Sequence, residues 1–239
     1  MISIIIPVFN EENRLRENLK TISDFLKKFE EKTELLIVDD GSKDKTPEIL
    51  EELKSLYGFK IITATKNSGK GAAIKLGVKN CGGEKILFTD IDLSVPIDTL
   101  DSFNNGMTDE VDIVIGSREL PGSKIAVRQF WLRELAGLMF TLLTNSVLWV
   151  GATDFTCGFK LFRKNAAIKI FNKQLTPRWA FDAESLYLAR KFNFKIKEMP
   201  VEWKHGEGSK VRFPQDLIES FFSLFRIRMN DIIGKYDKP

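Results

Sequence analysis

From Ile2 to Val8 only Ser3 interrupts a run of apolar positions, and Pro7 stands near its end. A short, almost unbroken apolar segment predicts a strand buried on both faces. Comparable runs recur at Glu34–Asp39, Phe59–Ala64, Glu84–Thr89 and Val111–Ile115. Between them lie segments of helical character: Glu11–Glu30, Thr46–Leu56, Gly69–Lys79 and Pro96–Asn105. That alternation predicts an α/β fold, a mostly parallel sheet with helices on both faces. The second half breaks the rhythm. Val127–Val150 reads as one long helical stretch, Gly158–Arg163 as a short strand, Ala183–Phe192 as a helix and Lys195–Met199 as a strand. Leu217–Ile233 reads as an amphipathic helix, so the simplest division is one domain over 1–215 and a helical extension over 216–239.

Composition removes several functions. Lys plus Arg is 36 and Asp plus Glu is 33, and a net charge of +3 gives no footprint for a nucleic-acid partner. One His excludes multi-His metal sites. Two Cys build no disulfide framework, which fits a reducing compartment and a cytoplasmic setting. The N-terminus lacks a basic n-region and a cleavage site, so no signal peptide is expected. The uncharged run Leu135–Val150 is shorter than the ~20 apolar residues of a spanning helix, so none is expected there.

Ligands of parallel sheets bind beyond the carboxyl ends of the strands. Asn10, Asp39–Asp40, Asn67 and Asp90–Asp92 all fall just past predicted strand ends. Asp90-Ile91-Asp92 puts two carboxylates on one side of an extended segment, a donor set for Mg²⁺ or Mn²⁺ gripping a diphosphate. A loop with two solvated aspartates has the same sequence. Asp39 and Asp40 can accept hydrogen bonds from a nucleoside, or cap the helix that begins near Thr46. Lys66–Ala72 is not a P-loop, because Ala64 stands where the first glycine belongs, yet Gly69 opens a helix whose N–H groups, with Lys70, suit an anion.

Taken in order, Pro7-Val8-Phe9-Asn10-Glu11-Glu12, Val38-Asp39-Asp40-Gly41-Ser42, Asn67-Ser68-Gly69-Lys70-Gly71, Asp90-Ile91-Asp92 and Gly116-Ser117-Arg118 resemble family 2 glycosyltransferases of the GT-A fold. Asp154-Phe155-Thr156-Cys157-Gly158-Phe159-Lys160-Leu161-Phe162 looks like a segment of the polyprenyl-phosphate glycosyltransferases. Arg178-Trp179-Ala180-Phe181-Asp182-Ala183-Glu184 and Gly208-Ser209-Lys210-Val211 look most like dolichyl-phosphate β-glucosyltransferases.

The resemblance implies an inverting, metal-dependent transfer of a hexose to dolichyl or polyprenyl phosphate, with UDP-glucose the favoured donor and Mg²⁺ or Mn²⁺ the cofactor. GDP-mannose or UDP-N-acetylglucosamine as donor, a saccharide or diacylglycerol acceptor, and a non-catalytic nucleotide-sugar-binding subunit stay open. It implies that Pro7, Asn10, Glu11, Asp39, Asp40, Asn67, Lys70 and Asp90 bind the nucleotide, and that Asp90 and Asp92 hold the metal. Asp92, Asp182 and Glu184 are the catalytic candidates, Arg118, Arg128 and Arg133 the candidates for the acceptor phosphate, and Ser209 and Lys210 a lid over the donor phosphates. Phe130–Val150 and the basic, aromatic Phe221–Met229 are candidates for contact with a membrane surface, which implies a peripheral protein on a cytoplasmic membrane face.

Overall fold

The computed structural model of the chain describes residues 1–127, 131–205 and 215–237, and the side chains of all of these except 131–133 and 216–217. Arg128, Ser209, Lys210 and the side chain of Arg133 therefore lie outside the described residues.

Four strands and four helices come first: β1 (Ile2–Val8), α1 (Leu15–Leu26), β2 (Thr33–Asp39), α2 (Thr46–Tyr57), β3 (Lys60–Thr63), α3 (Lys70–Asn80), β4 (Lys85–Phe88) and α4 (Thr99–Gly106). The rest runs β5 (Ile113–Ser117), β6 (Lys124–Val127), α5 (Trp131–Leu148), β7 (Lys160–Arg163), α6 (Lys164–Lys173), α7 (Phe181–Lys191), β8 (Ile196–Pro200), β9 (Glu202–Lys204) and α8 (Gln215–Ile232). One sheet takes the order β3-β2-β1-β4-β7-β5-β8, and β6 and β9 pair as a small separate ribbon. Every pairing in the large sheet is parallel except those of β7, which runs against both β4 and β5.

The near-continuous apolar strands are explained by cover on both faces. Ile4 and Ile6 join a core with α1, α2 and α4, while Ile5, with Phe88 and Phe162, joins a second core with α3, α6 and α7. All five of those side chains are fully buried. Leu224 and Ile227 of α8 and Tyr236 beyond it belong to the second core. The C-terminal segment is thus half integral to the domain, and its boundary at 215/216 is one of sequence motifs rather than of packing.

Two expectations shift, and one element is new. α1 begins at Leu15, not Glu11; the loop before it is tied to the loop after β2, the N–H groups of Glu11 and Glu12 donating to Thr46 Oγ1 (2.8 Å) and Asp44 Oδ2 (3.3 Å). The stretch from Val127 divides, with β6 ending where a single helix was expected and α5 starting at Trp131. Finally, α6 follows β7 without a break, so no turn residue marks its start.

Candidate active site

The β1, β2, β4 and β5 ends and the start of β7 meet along one edge of the sheet, as the registers Val8 with Asp39, Phe88 with Lys160 and Ile115 with Lys160 require. Asn10 turns the chain after β1 with φ 53°, a conformation that Asn tolerates better than most residues. Its N–H donates to Ser42 Oγ (2.9 Å) and its Oδ1 accepts from Lys43 N–H (2.8 Å), which joins the loop after β1 to the loop after β2. Pro7 sits inside β1 opposite Val38, one step below this edge. Asn67 lies half-buried in the loop before α3, against which Gly41 packs: a Cβ at Gly41 would stand 2.8 Å from the carbonyl carbon of Lys66.

The Asp39–Asp40 pair divides its labour. Asp40 accepts Ser68 N–H on one oxygen (2.9 Å) and Gly69 N–H on the other (2.7 Å), so it staples the loop that opens α3. Burial pushes its carboxyl up, the neighbouring Asp39 charge adds to that, and the two N–H bonds oppose it. Asp39 is 1% exposed; its Oδ1 accepts both the N–H and the hydroxyl of Ser42, while its Oδ2 is buried with no hydrogen-bond partner among the described residues. A buried acceptor left unmatched costs ~1–3 kcal/mol, so it calls for a donor beyond the described residues.

Two strands over, beyond the end of β4, Lys70 at the start of α3 meets Asp90 Oδ1 at 2.6 Å. Burial pushes the Asp90 carboxyl up, against the pull of Lys70 and helped by Asp92. Asp92 Oδ1 accepts Ser94 N–H (3.0 Å), and its Oδ2 lies 3.9 Å from Arg14. Asp90 also presses on the turn before β7, where a Cβ at Gly158 would stand 2.0 Å from its Oδ2. Among the described residues no cluster of three or more His, Cys, Asp or Glu forms a complete metal cage. Two carboxylates at one strand end nevertheless fit Mg²⁺ or Mn²⁺, hard cations that keep part of their shell for water and phosphate oxygens. Lys70 already supplies positive charge to this spot.

The other candidates are committed within the protein. Asp182 is ion-paired with the fully buried Lys160, whose ammonium also donates to the carbonyls of Phe155 (3.0 Å) and Cys157 (2.7 Å). Glu184, fully buried, accepts from Leu175 N–H (3.1 Å), Thr176 N–H (2.7 Å) and Tyr236 Oη (2.6 Å). These bonds tie it to the fold behind the site. Arg118, the candidate for the acceptor phosphate, grips Asp154 through Nε (2.7 Å) and an η nitrogen (2.9 Å) and stacks 5.4 Å over Trp203. Asp154 holds the Arg118 guanidinium above its ordinary value, although burial alone would lower it. Burial pushes the Cys157 thiol up to about 11, the state of an inert buried sulfur. Sequence reading did not single out Lys160 as a functional position; an ammonium inside an apolar F-K-L-F strand was the available signal.

This edge gathers acidic strand ends on an open α/β sheet, and residues 3–171 match the family described as glycosyl transferase family 2. The chain belongs to that family and is a glycosyltransferase. Among its relatives, the dolichyl-phosphate beta-glucosyltransferase of Homo sapiens is 36% identical over 225 residues, spanning 88% of this chain and 69% of the relative. The Saccharomyces cerevisiae protein of the same name is 32% identical over 254 residues, spanning 98% and 76%. Among solved structures, Mycobacterium tuberculosis glucosyl-3-phosphoglycerate synthase, in complex with Mn²⁺, UDP and glucosyl-3-phosphoglycerate, superposes with a TM-score of 0.66 at 16% identity, covering 100% of this chain and 81% of that one. Staphylococcus aureus TarS 1–349 superposes with 0.62 at 20% identity, covering 98% and 65%. At these identities the structural likeness speaks to the fold, which is GT-A.

Proposed function

We propose that the protein transfers glucose from UDP-glucose to the phosphate of a dolichyl or other polyprenyl lipid, with inversion, at a membrane surface. The observation that carries this reading is the gathering, along one sheet edge, of a buried oxygen on Asp39 with no partner among the described residues and of the Asp90–Lys70–Asp92 charge cluster. The first suits a nucleoside N–H or hydroxyl, the second a diphosphate. The names of the relatives support the lipid acceptor, and the Mn²⁺ and UDP in the mycobacterial neighbour support the donor class. Mg²⁺ or Mn²⁺ at Asp90 and Asp92 would act as a Lewis acid on the leaving diphosphate.

The acceptor phosphate is already an anion. Its oxygen forms the new bond to the anomeric carbon as the bond to the diphosphate breaks on the opposite side, and no proton has to be removed. That suits a site whose Asp182 is tied to Lys160 and whose Glu184 lies behind it. Lys70 is placed to neutralise charge on the diphosphate, and Asp40 and Asn10 to hold the loops that receive the nucleoside.

The membrane contact is the outer face of α5 and α8, which pack against each other through Phe140 and Phe221 with ring centroids 6.1 Å apart. Phe222 is 72% exposed and Leu142 68%, and Trp149 carries Arg228 4.7 Å over its ring. Apolar side chains beside Arg226 and Lys235 suit the boundary between anionic headgroups and acyl chains. Among the described residues no helix is long and apolar enough to cross a membrane.

The test offers UDP-glucose, UDP-N-acetylglucosamine and GDP-mannose with polyprenyl phosphate in detergent or vesicles. Glucosyl phosphoryl lipid from UDP-glucose is expected, abolished by EDTA and restored by Mn²⁺ or Mg²⁺. Full turnover in EDTA, or transfer to diacylglycerol in its place, would overturn the proposal.

A further inference from the structure

The end of the chain reaches the back of the donor edge. After α8 the backbone turns at Gly234, whose N–H donates to Asp231 O (2.8 Å), and at Lys235, whose N–H donates to Asn230 O (2.9 Å). This turn delivers Tyr236 into the core, where it is 1% exposed and its hydroxyl donates to Glu184 Oε1 at 2.6 Å. Burial, reinforced by the Glu184 charge, pushes that hydroxyl far above its ordinary range, so it remains a donor at any working pH.

Glu184 uses its remaining capacity on the N–H groups of Leu175 and Thr176. The turn so fixed runs on to Pro177, whose carbonyl accepts the N–H of Ala72 at 3.0 Å. Ala72 lies in the first turn of α3, where N–H groups have no partner within the helix, so Pro177 caps the helix from outside. The same oxygen would stand 2.7 Å from a Cβ at Gly69, which leaves the loop no room to drift. Lys70, one residue further, is the group that meets Asp90.

We propose that Tyr236 is a positioning residue of the donor site: its hydroxyl, through Glu184 and the 175–177 turn, fixes the first turn of α3 and so holds Lys70 on Asp90. The proposal rests on the reading of that edge as the place of the donor diphosphate. It assigns the C-terminal tail to the glycosyltransferase machinery although Tyr236 touches no reacting atom.

The full chain carrying Tyr236→Phe keeps the ring and loses only the hydroxyl. Amide hydrogen exchange should speed up at Thr176 and Ala72 by about tenfold, the scale of one hydrogen bond to a charged group, and stay unchanged at Ile5 in β1. UDP binding in the presence of Mn²⁺, read by calorimetry, should weaken by about five- to tenfold if most of that bond is transmitted. KM for UDP-glucose should rise while KM for polyprenyl phosphate stays put. A lower melting temperature with unchanged exchange at Ala72 and unchanged UDP affinity would make the tyrosine a stabilising residue only and overturn the proposal. If Tyr236→Phe does not fold, Glu184→Gln, which retains the side-chain shape and one carbonyl, is judged by the same readouts. Where both variants fold, their combination should lose no more UDP affinity than the weaker single variant; additive losses would break the proposed path. Should the unaltered protein bind no UDP, the donor reading fails, while exchange at Ala72 still decides the role of Tyr236.

Discussion

A β-carbon at Gly158 would sit 2.0 Å from Asp90 Oδ2 and 3.5 Å from Lys70 Nζ. The glycine is there for space, since its backbone is not in the left-handed region. Gly158→Ala should therefore displace Asp90 and lower turnover by about a hundredfold, the cost of misplacing a group that must be held to within ~1 Å. The melting temperature should move only a little. Near-normal turnover would show that Asp90 is not needed in its present place. At this scale the sequence revealed which residue types gather at the edge but not how they divide. Asp39 and Asp40 are chemically identical neighbours, and only the path of the loop from Lys66 to Gly69 decides which one keeps an unmatched oxygen. Asp182 and Glu184 looked like free carboxylates because their partners, Lys160 and Tyr236, stand 22 and 52 residues away.

Elements were legible where burial on both faces writes a continuous apolar run, as in β1 and β2, and where amphipathic spacing is long, as in α2. They were not legible in β6 and β9, whose 4 and 3 residues are too few to show a period. Nor was α6, whose apolar Ala166, Ala167, Ile170 and Phe171 merge with the preceding strand. The element ends opposite the site carry their own fastening. Glu34 of β2 accepts from Ser3 Oγ of β1, from the N–H groups of Gly82 (2.5 Å) and Gly83 (3.2 Å) before β4, and from Lys60 Nζ of β3 (3.0 Å). Burial alone would raise its carboxyl; these donors outweigh it and hold it at about 2. Because the folded value lies below the unfolded one, the carboxylate stabilises the protein above about pH 4.5, and that contribution drains away as pH falls toward 2. Glu34→Gln should cost about 2–3 kcal/mol at pH 7 in urea unfolding, the gap narrowing through this window. A constant gap from pH 7 to pH 3 would show that the loss is one of packing.

For the whole molecule, the outward side of α8 can be changed without touching the inward one. Phe222 and Phe225 are 72% and 51% exposed, whereas Leu224 and Ile227 between and beyond them are fully buried. Replacing both phenylalanines by glutamate should leave the melting temperature nearly unchanged. Binding to vesicles of mixed phosphatidylcholine and phosphatidylglycerol should fall by about a hundredfold or more, since each buried Phe contributes ~1.5–3 kcal/mol. Unaltered co-sedimentation would remove α8 from the membrane contact. Deleting everything after Gln215 is a poorer experiment, because it strips the core of Leu224, Ile227 and Tyr236 together.

The reversed strand β7 also sets an order of events during synthesis. β3, β2, β1 and β4 find one another within the first 88 residues, each next to its final neighbour. β5 has no such neighbour when it leaves the ribosome, since both of its partners, β7 and β8, lie later in the chain. One of its hydrogen-bonding edges waits for residues 160–163 and the other for residues 196–200, and it is β7 that joins the second group of strands to the first. The first group of strands is thus complete in sequence long before the strand that ties it to the second, and the turn that seats Asp90 against Gly158 belongs to that later part of the chain.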